Sequence, residues 1–180
     1  MRAEFRQTLT NPLTGNTQTT SGVILRKKPN LLNINFEGGD RVAADGSTLW
    51  VYLPSSTPGQ VMRMPYSGAN ASNLDPAEQF LNSPRTRFNV TSSGTATVAG
   101  RATHAVTLIP KRANPNLTSA KVWIDDTDWS IRQFDVESPN GLKRHVVITG
   151  FTANPALSTS SFKFAVPKGA KVIDQAAGAY

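Results

Sequence analysis

The chain has 180 residues and a mass of 19.4 kDa, enough for one domain that buries roughly two-thirds of its unfolded surface. Hydrophobic content of 38% and charged content of 17% exclude a disordered tail, and no run approaches the ~20 apolar residues of a transmembrane helix. Cysteine is absent, which excludes disulfides, thiolate metal sites and cysteine nucleophiles, while a net charge of +7 leaves anionic lipid surfaces and nucleic acid open as partners beside the plain role of Lys and Arg on solvated strand edges.

Residues Ala3-Glu4-Phe5-Arg6-Gln7-Thr8-Leu9 already read as a strand. No basic start and apolar stretch precedes them, so either an export signal has been removed or the protein stays inside the cell. Asn11-Pro12 and Gly15-Asn16 mark a turn, and a second strand runs into the turn Arg26-Lys27-Lys28-Pro29-Asn30. Leu32, Ile34 and Phe36 then share one strand face, with Asn33 and Asn35 on the other. Turns at Gly38-Gly39-Asp40 and Asp45-Gly46 frame the next strand. In Leu49–Leu53 the residues Leu49, Val51 and Leu53 point one way and Trp50 and Tyr52 the other, so something apolar must cover each face. After the Pro58-Gly59 turn, Met62 and Met64 share a face and suit an adaptable wall.

One helix is expected over 74–83. Asp75-Pro76-Ala77-Glu78 supplies an N-cap, a proline at the first helical position and a glutamate three after the cap. Leu74, Ala77, Phe80 and Leu81 give it an apolar side, and Ser83-Pro84 ends it. Alternation resumes beyond a turn at Ser93-Gly94, with Ala102, His104, Val106 and Leu108 on one face. A turn at Asn114-Pro115-Asn116 leads to a hairpin of Val122–Asp125 and Ile131–Glu137. Its turn imitates calcium-loop spacing, but Ile131 stands where that loop needs glycine. Pro139-Asn140-Gly141 precedes the stripe Leu142, Arg144, Val146 and Ile148, and Phe162, Phe164 and Val166 form a last strand.

Turn signals at such short intervals predict a meander of antiparallel strands. The expected fold is mostly β, a strongly curved sheet with an apolar concavity partly closed by the one helix, in a single domain over 1–180. Catalysis is not expected. His104 and His145 each lie inside a strand pattern, and Ser160-x-x-Lys163 enters a strand where a serine–lysine pair needs a helix. No nucleophile elbow, phosphate loop, dinucleotide fingerprint or zinc spacing occurs, so no cofactor and no metal are expected. The aromatic residues sit in apolar stripes and are not interleaved with Lys and Arg, which argues against nucleic acid.

Several of these segments together resemble the LolA family, the periplasmic carriers that ferry lipoproteins to the bacterial outer membrane. The matching pieces are Phe5 with Gln7, Ser21-Gly22, Lys28-Pro29-Asn30, the Asp-Gly-x-Thr-Leu-Trp-x-Tyr hairpin at Asp45 to Tyr52, and the closing Pro-x-Gly-x-x-Val-Ile-Asp at Pro167 to Asp174. The resemblance implies an unclosed antiparallel β-barrel with short helices as a lid, whose cavity takes lipoprotein acyl chains. On that basis Leu32, Ile34, Phe36, Trp50, Tyr52, Met62 and Met64 are expected to line the cavity, Phe80 and Leu81 to form the apolar side of the lid, and Lys28 to latch it. The family usually carries arginine at the latch; lysine lacks the planar fork, so a more loosely held lid is expected. The resemblance also implies a monomer working in the periplasm between an inner-membrane release complex and an outer-membrane receptor. That receptor is itself lipidated on a cysteine, which favours the soluble carrier here. The alternative on the same fold is a lipid- or protein-binding sensor or regulatory module of the cell envelope.

Overall fold

A computed structural model describes residues 1–66 and 76–175, the side chains of 76–78 excepted. Leu74 and Asp75, the start of the expected helix and its cap, lie outside the described residues. The strands are β1 (Arg2–Thr10), β2 (Thr17–Lys27), β3 (Leu31–Phe36), β4 (Arg41–Asp45), β5 (Thr48–Tyr52), β6 (Gln60–Pro65), β7 (Phe88–Val98), β8 (Arg101–Pro110), β9 (Ser119–Asp125), β10 (Ile131–Glu137), β11 (Lys143–Thr152) and β12 (Lys171–Asp174). Among the described residues the helices are few and short: α1 (Pro76–Leu81), α2 (Pro84–Arg87) and a 3₁₀ turn over Thr159–Phe162.

Hydrogen bonding orders the strands β12-β6-β5-β4-β3-β2-β1-β11-β10-β9-β8-β7. The fold is therefore mostly β, and the runs β2 to β6 and β7 to β11 pair antiparallel, as the alternation predicts. One pair departs from the meander: β12 lies parallel to β6. Contacts divide the chain into two compact units, one made of Met1–Glu4, Ser21–Ala71 and Gly150–Tyr180, the other of Phe5–Thr20 and Ser72–Thr149.

In the first unit the tightest local device is the turn between β4 and β5. Asp45 Oδ1 accepts the backbone N–H groups of Ser47 at 3.1 Å and Thr48 at 2.9 Å, and Oδ2 accepts the Trp50 indole N–H at 3.4 Å. Gly46 sits at φ +112, a conformation open to glycine and strained for other residues. Burial pushes the Asp45 carboxyl up, but the bonds from Ser47, Thr48 and Trp50 together outweigh it and hold it below its ordinary value. The core beside this turn holds Ala43, Ala44, Val61 and Phe162, all fully buried.

The expected strand through Phe162, Phe164 and Val166 does not form. Phe162 closes the 3₁₀ turn, the strand begins only at Lys171, and Val166 is exposed. Side chains, not a neighbouring strand, satisfy this backbone: Asn33 Nδ2 donates to the Ser161 carbonyl at 2.6 Å and Arg41 to that of Lys163 at 3.1 Å. Pro167, with no N–H to give, follows at once.

In the second unit, Ser93-Gly94 is not a turn. It is a bulge inside β7, where the register against β8 shifts between Ser92 and Thr95 and Gly94 takes φ +89. The chain reverses instead at Ala99-Gly100, both at positive φ (47° and 77°), as a two-residue hairpin turn of the primed kind requires. Helix α1 stops at Leu81, left-handed Ser83 (φ 48°) breaks the direction, and α2 restarts on Pro84. Phe80 is fully buried and packs on Phe134 of β10, ring centroids 5.6 Å apart. The hairpin of β9 and β10 forms as expected.

Its turn is built around Asp125, which is 1% exposed. Arg101 donates to both carboxylate oxygens at 2.7 and 3.0 Å, Arg132 adds a bond of 2.8 Å, and the Thr127 N–H one of 2.9 Å. Arg132 also reaches Asp128 at 2.7 Å. Arg101 first, then these further donors, overcome burial and hold the Asp125 carboxyl far below the carboxylate range. His104 pairs with Asp126, and His145 with Asp135 at 2.6 Å.

A carboxylate held below its ordinary value binds protons less readily folded than unfolded. The stability it lends is present above the unfolded value, about 3.9, and is lost as pH falls towards the folded one. The melting temperature should therefore hold steady from pH 7 to about 5 and fall steeply below about 4. Asp125→Asn should lower the melting temperature at pH 7 and flatten that acid limb, as differential scanning calorimetry across the range would show. An unchanged acid limb would remove Asp125 as its source.

Candidate functional site

Residues directly opposite in a ladder share a face, so register sorts the side chains of the first unit into two sets. On one face Ile24 lies opposite Ile34, Leu32 opposite Ala44, and Ile34 opposite Val42. The set continues through Val51 opposite Val42 and Leu49 opposite Ala44, then Met62 opposite Val51 and Met64 opposite Leu49, and reaches Ile173 beside Met62. Phe36 joins by alternation. Leu32 and Leu49 are buried, while Ile24, Ile34, Phe36, Val42, Val51, Met62, Met64 and Ile173 are only half-buried. The result is an apolar stripe that crosses β2 to β6 and β12. At its β6 end the Gln175 amide N–H reaches Met62 Sδ at 3.4 Å, and Gln175 Oε1 is buried with no donor in reach.

Five of the seven expected cavity residues are on this face: Leu32, Ile34, Phe36, Met62 and Met64. Trp50 and Tyr52 are not. They project from the opposite face, where Trp50 lies across from Ala43 and Arg63. There Trp50 stacks on Phe164 with centroids 5.5 Å apart and planes 13° from parallel, and Tyr52 meets the same ring at 6.4 Å. Arg41 lies over Phe164 at 5.5 Å and Arg63 over Trp50 at 5.7 Å. Arg63 also holds Asp174 through two bonds of 2.6 and 2.9 Å. The expected set is therefore divided between two faces, since with a side-chain period of two Trp50 and Tyr52 cannot share the face of Val51. The two aromatics hold the chain's own C-terminal segment. Ile24, Val42, Val51 and Ile173 belong to the stripe and were missed from sequence, although Val51 could have been found from its parity with Leu49.

The expected lid residues belong to the second unit. Phe80 is fully buried there and Leu81 half-buried. Lys28, the expected latch, is exposed and makes no hydrogen bond or ion pair among the described residues. The adjacent Lys27 instead donates to the Leu157 carbonyl at 3.3 Å. Along this edge a cavity of about 820 Å³ opens between Arg26, Lys27 and Lys28 on one side and Ala153 to Ser158 on the other.

The family model of the outer membrane lipoprotein carrier protein LolA matches residues 1–165. The outer-membrane lipoprotein carrier protein of Serratia proteamaculans (strain 568) is 26% identical over 175 residues, which span 96% of this chain and 80% of that protein. The protein of that name from Haemophilus influenzae (strain PittEE) is 28% identical over 182 residues, spanning 97% and 80%. Among solved structures, an uncharacterized conserved protein from Thermus thermophilus aligns with a TM-score of 0.57 at 13% identity, covering 96% of this chain and 91% of that one. The Pseudomonas aeruginosa MucA/MucB complex gives 0.53 at 12% identity, covering 96% and 58%. These two likenesses concern the fold.

If the Trp50 face serves structure, truncating it should cost stability. Phe164→Ala removes the ring that Trp50, Tyr52 and Arg41 all touch, and is expected to lower unfolding free energy by about 1–3 kcal/mol. Phe162→Ala, at a fully buried ring, should cost about 3–5 kcal/mol. Urea unfolding at neutral pH would measure both, and a Phe164→Ala protein as stable as the parent would leave the stacked face without a structural role.

Proposed function

The chain belongs to the LolA family of outer-membrane lipoprotein carrier proteins, whose members bind cargo and are not enzymes, and from that membership we propose that it carries lipoproteins by their acyl chains. The half-buried stripe of Leu32, Ile34, Phe36, Met62 and Met64, extended by Ile24, Val42, Val51 and Ile173, is the surface that takes the hydrocarbon. This stripe is the observation that supports the reading most directly. A water-soluble domain gains nothing from leaving so many large apolar side chains on one face half-covered, unless a ligand completes the burial.

Each methylene moved out of water contributes about 0.8 kcal/mol. A single long acyl chain therefore gains on the order of ten kcal/mol, offset in part by the costs of association and ordering. Shape selectivity is low on such a surface. Met62 and Met64 adapt to different chains, which suits a cargo whose protein part varies. The carrier works in the periplasm, takes its load from a release complex at the inner membrane and delivers it to a receptor at the outer membrane. Phe80 and Leu81 form the apolar side of the lid, and the chain acts as a monomer.

Native mass spectrometry of protein purified from a bacterial host, followed by lipid extraction, tests the reading. Diacyl or triacyl species should co-purify with the parent. Ile34→Glu and Met62→Glu, at half-buried positions that tolerate a polar group without unfolding, should reduce that cargo at least about tenfold, while Trp50→Ala keeps it. A clean apo mass with no uptake of added lipopeptide would overturn the proposal and favour a protein-binding module on the same fold.

A further inference from the structure

The apolar stripe of β11 contains a charge. Arg144 lies directly opposite Val136, Val136 lies opposite Ala120, and alternation groups Arg144 with Val146 and Ile148, both buried. On the other face of the same strands the charges are matched across the ladder: His145 bonds Asp135 at 2.6 Å, and Lys143 lies opposite Glu137. Arg144 has no such counterpart and makes no hydrogen bond or ion pair among the described residues. It still reaches solvent, yet burial around it pushes its guanidinium below the ordinary value. A guanidinium at the end of an apolar face has neither full hydration nor a counter-ion.

A cavity of about 430 Å³ opens beside Arg144, within the size range of sites for small ligands. None of the described residues that line it is Asp or Glu. Its polar wall is made of neutral amides. The side chains of Gln79 and Asn116 make no hydrogen bond among the described residues. Asn140 Oδ1 accepts the Leu142 N–H at 3.1 Å, which leaves its Nδ2 free to donate. Phe134 and Leu142 supply the apolar wall.

From this combination we infer that the second unit binds the C-terminal end of a peptide, with Arg144 holding the terminal carboxylate and Phe134 and Leu142 taking an apolar last side chain. The planar fork of arginine matches a carboxylate through two parallel N–H bonds, and one cation among neutral donors suits an anion of single charge. Side-chain amides both donate and accept, as a peptide group requires, whereas a hydrocarbon tail would leave them unsatisfied. The described lining residues all belong to the second unit, so the inference does not rest on the acyl-chain reading of the first.

Isothermal titration on the full chain compares acetylated Ala-Ala-Leu bearing a free carboxylate with the same peptide as its C-terminal amide. The acid should bind at least about tenfold tighter, with an advantage that shrinks as salt is raised, and should shift the side-chain amide signals of Gln79, Asn116 and Asn140 in NMR spectra. Arg144→Gln should erase the advantage. Arg144→Lys should keep only part of it, having the charge without the fork, and Lys143→Gln, on the other face, should keep all of it. The Arg144→Gln protein should melt no lower than the parent, because it loses an uncompensated charge, so lost binding is not lost folding. Equal affinities for acid and amide, binding of neither, or an advantage that survives Arg144→Gln overturns the inference. Octanoate bound where the peptide acid is not would replace the peptide by a fatty acid. Inorganic phosphate shifting the same signals where the peptide acid does not would replace it by a free ion. Either result overturns the inference and leaves the acyl-chain reading standing.

Discussion

A β-strand has two sides, and in the first unit the chain itself occupies one of them. Phe162 and Phe164 lie against the side that carries Asn33, Ala43, Trp50 and Val61, and their backbone is tied down by Asn33 and Arg41. Because successive residues alternate, everything of opposite parity is committed to the other side. Ile34, Val42, Val51 and Met62 then form a continuous hydrocarbon surface without any special placement of single residues. One covered face defines one available face. The same parity brings Arg26 into line with Leu32.

The second unit is organised differently, around two buried anchors. Asp125 gathers two guanidinium groups and the N–H groups of its own turn, a buried charge whose every lone pair is used. Such a cluster adds little net stability when intact, and removing one partner leaves a charge uncompensated. Phe80 is the other anchor. Its ring is fully buried against Phe134, so lifting α1 away would expose a whole aromatic side chain at a cost of about 2–3 kcal/mol. The Arg87 guanidinium adds a bond of 3.0 Å to the Gln79 carbonyl near the end of that helix. Helix α1 is thus fastened by packing within its own unit.

Much of this was legible in the sequence because strand alternation is a local property. The stripes in β3, β5 and β11 could be read residue by residue, and the Asp45 hairpin carries its own chemistry in the spacing of Asp, Ser, Thr and Trp; in β8 the expected stripe fails at its start, where Thr103 and Ala105 are buried and Ala102 and His104 exposed. What escaped was decided at a distance. Trp50 and Tyr52 look as apolar as Val51, and only the Phe164 ring, more than a hundred residues later in the chain, determines which face is covered. Ser93-Gly94 has the composition of a turn and the structure of a bulge, because the cross-strand register places the reversal at Ala99-Gly100. Phe162, Phe164 and Val166 have strand spacing but no neighbouring strand to pair with, since side chains of β3 and β4 satisfy that backbone first. Lys27 and Lys28 differ by one position, and it is Lys27 that meets the Leu157 carbonyl.

The parallel pairing of β12 with β6, fastened by Arg63 on Asp174, joins residues 111 apart in sequence. The first unit is assembled from three separated stretches of chain, and the second is nested between them. A polypeptide emerging from its amino end can thus complete the nested unit while the outer one still lacks its last strand and the ring that covers its Trp50 face. Until those residues arrive, both sides of β3 to β6 are wet hydrocarbon and the edge of β6 is an unpaired ladder. Synthesis order therefore makes the half-finished first unit a sticky surface, and the half-buried stripe through Ile34, Val51 and Met62 is the last part of that unit to become distinct from its back.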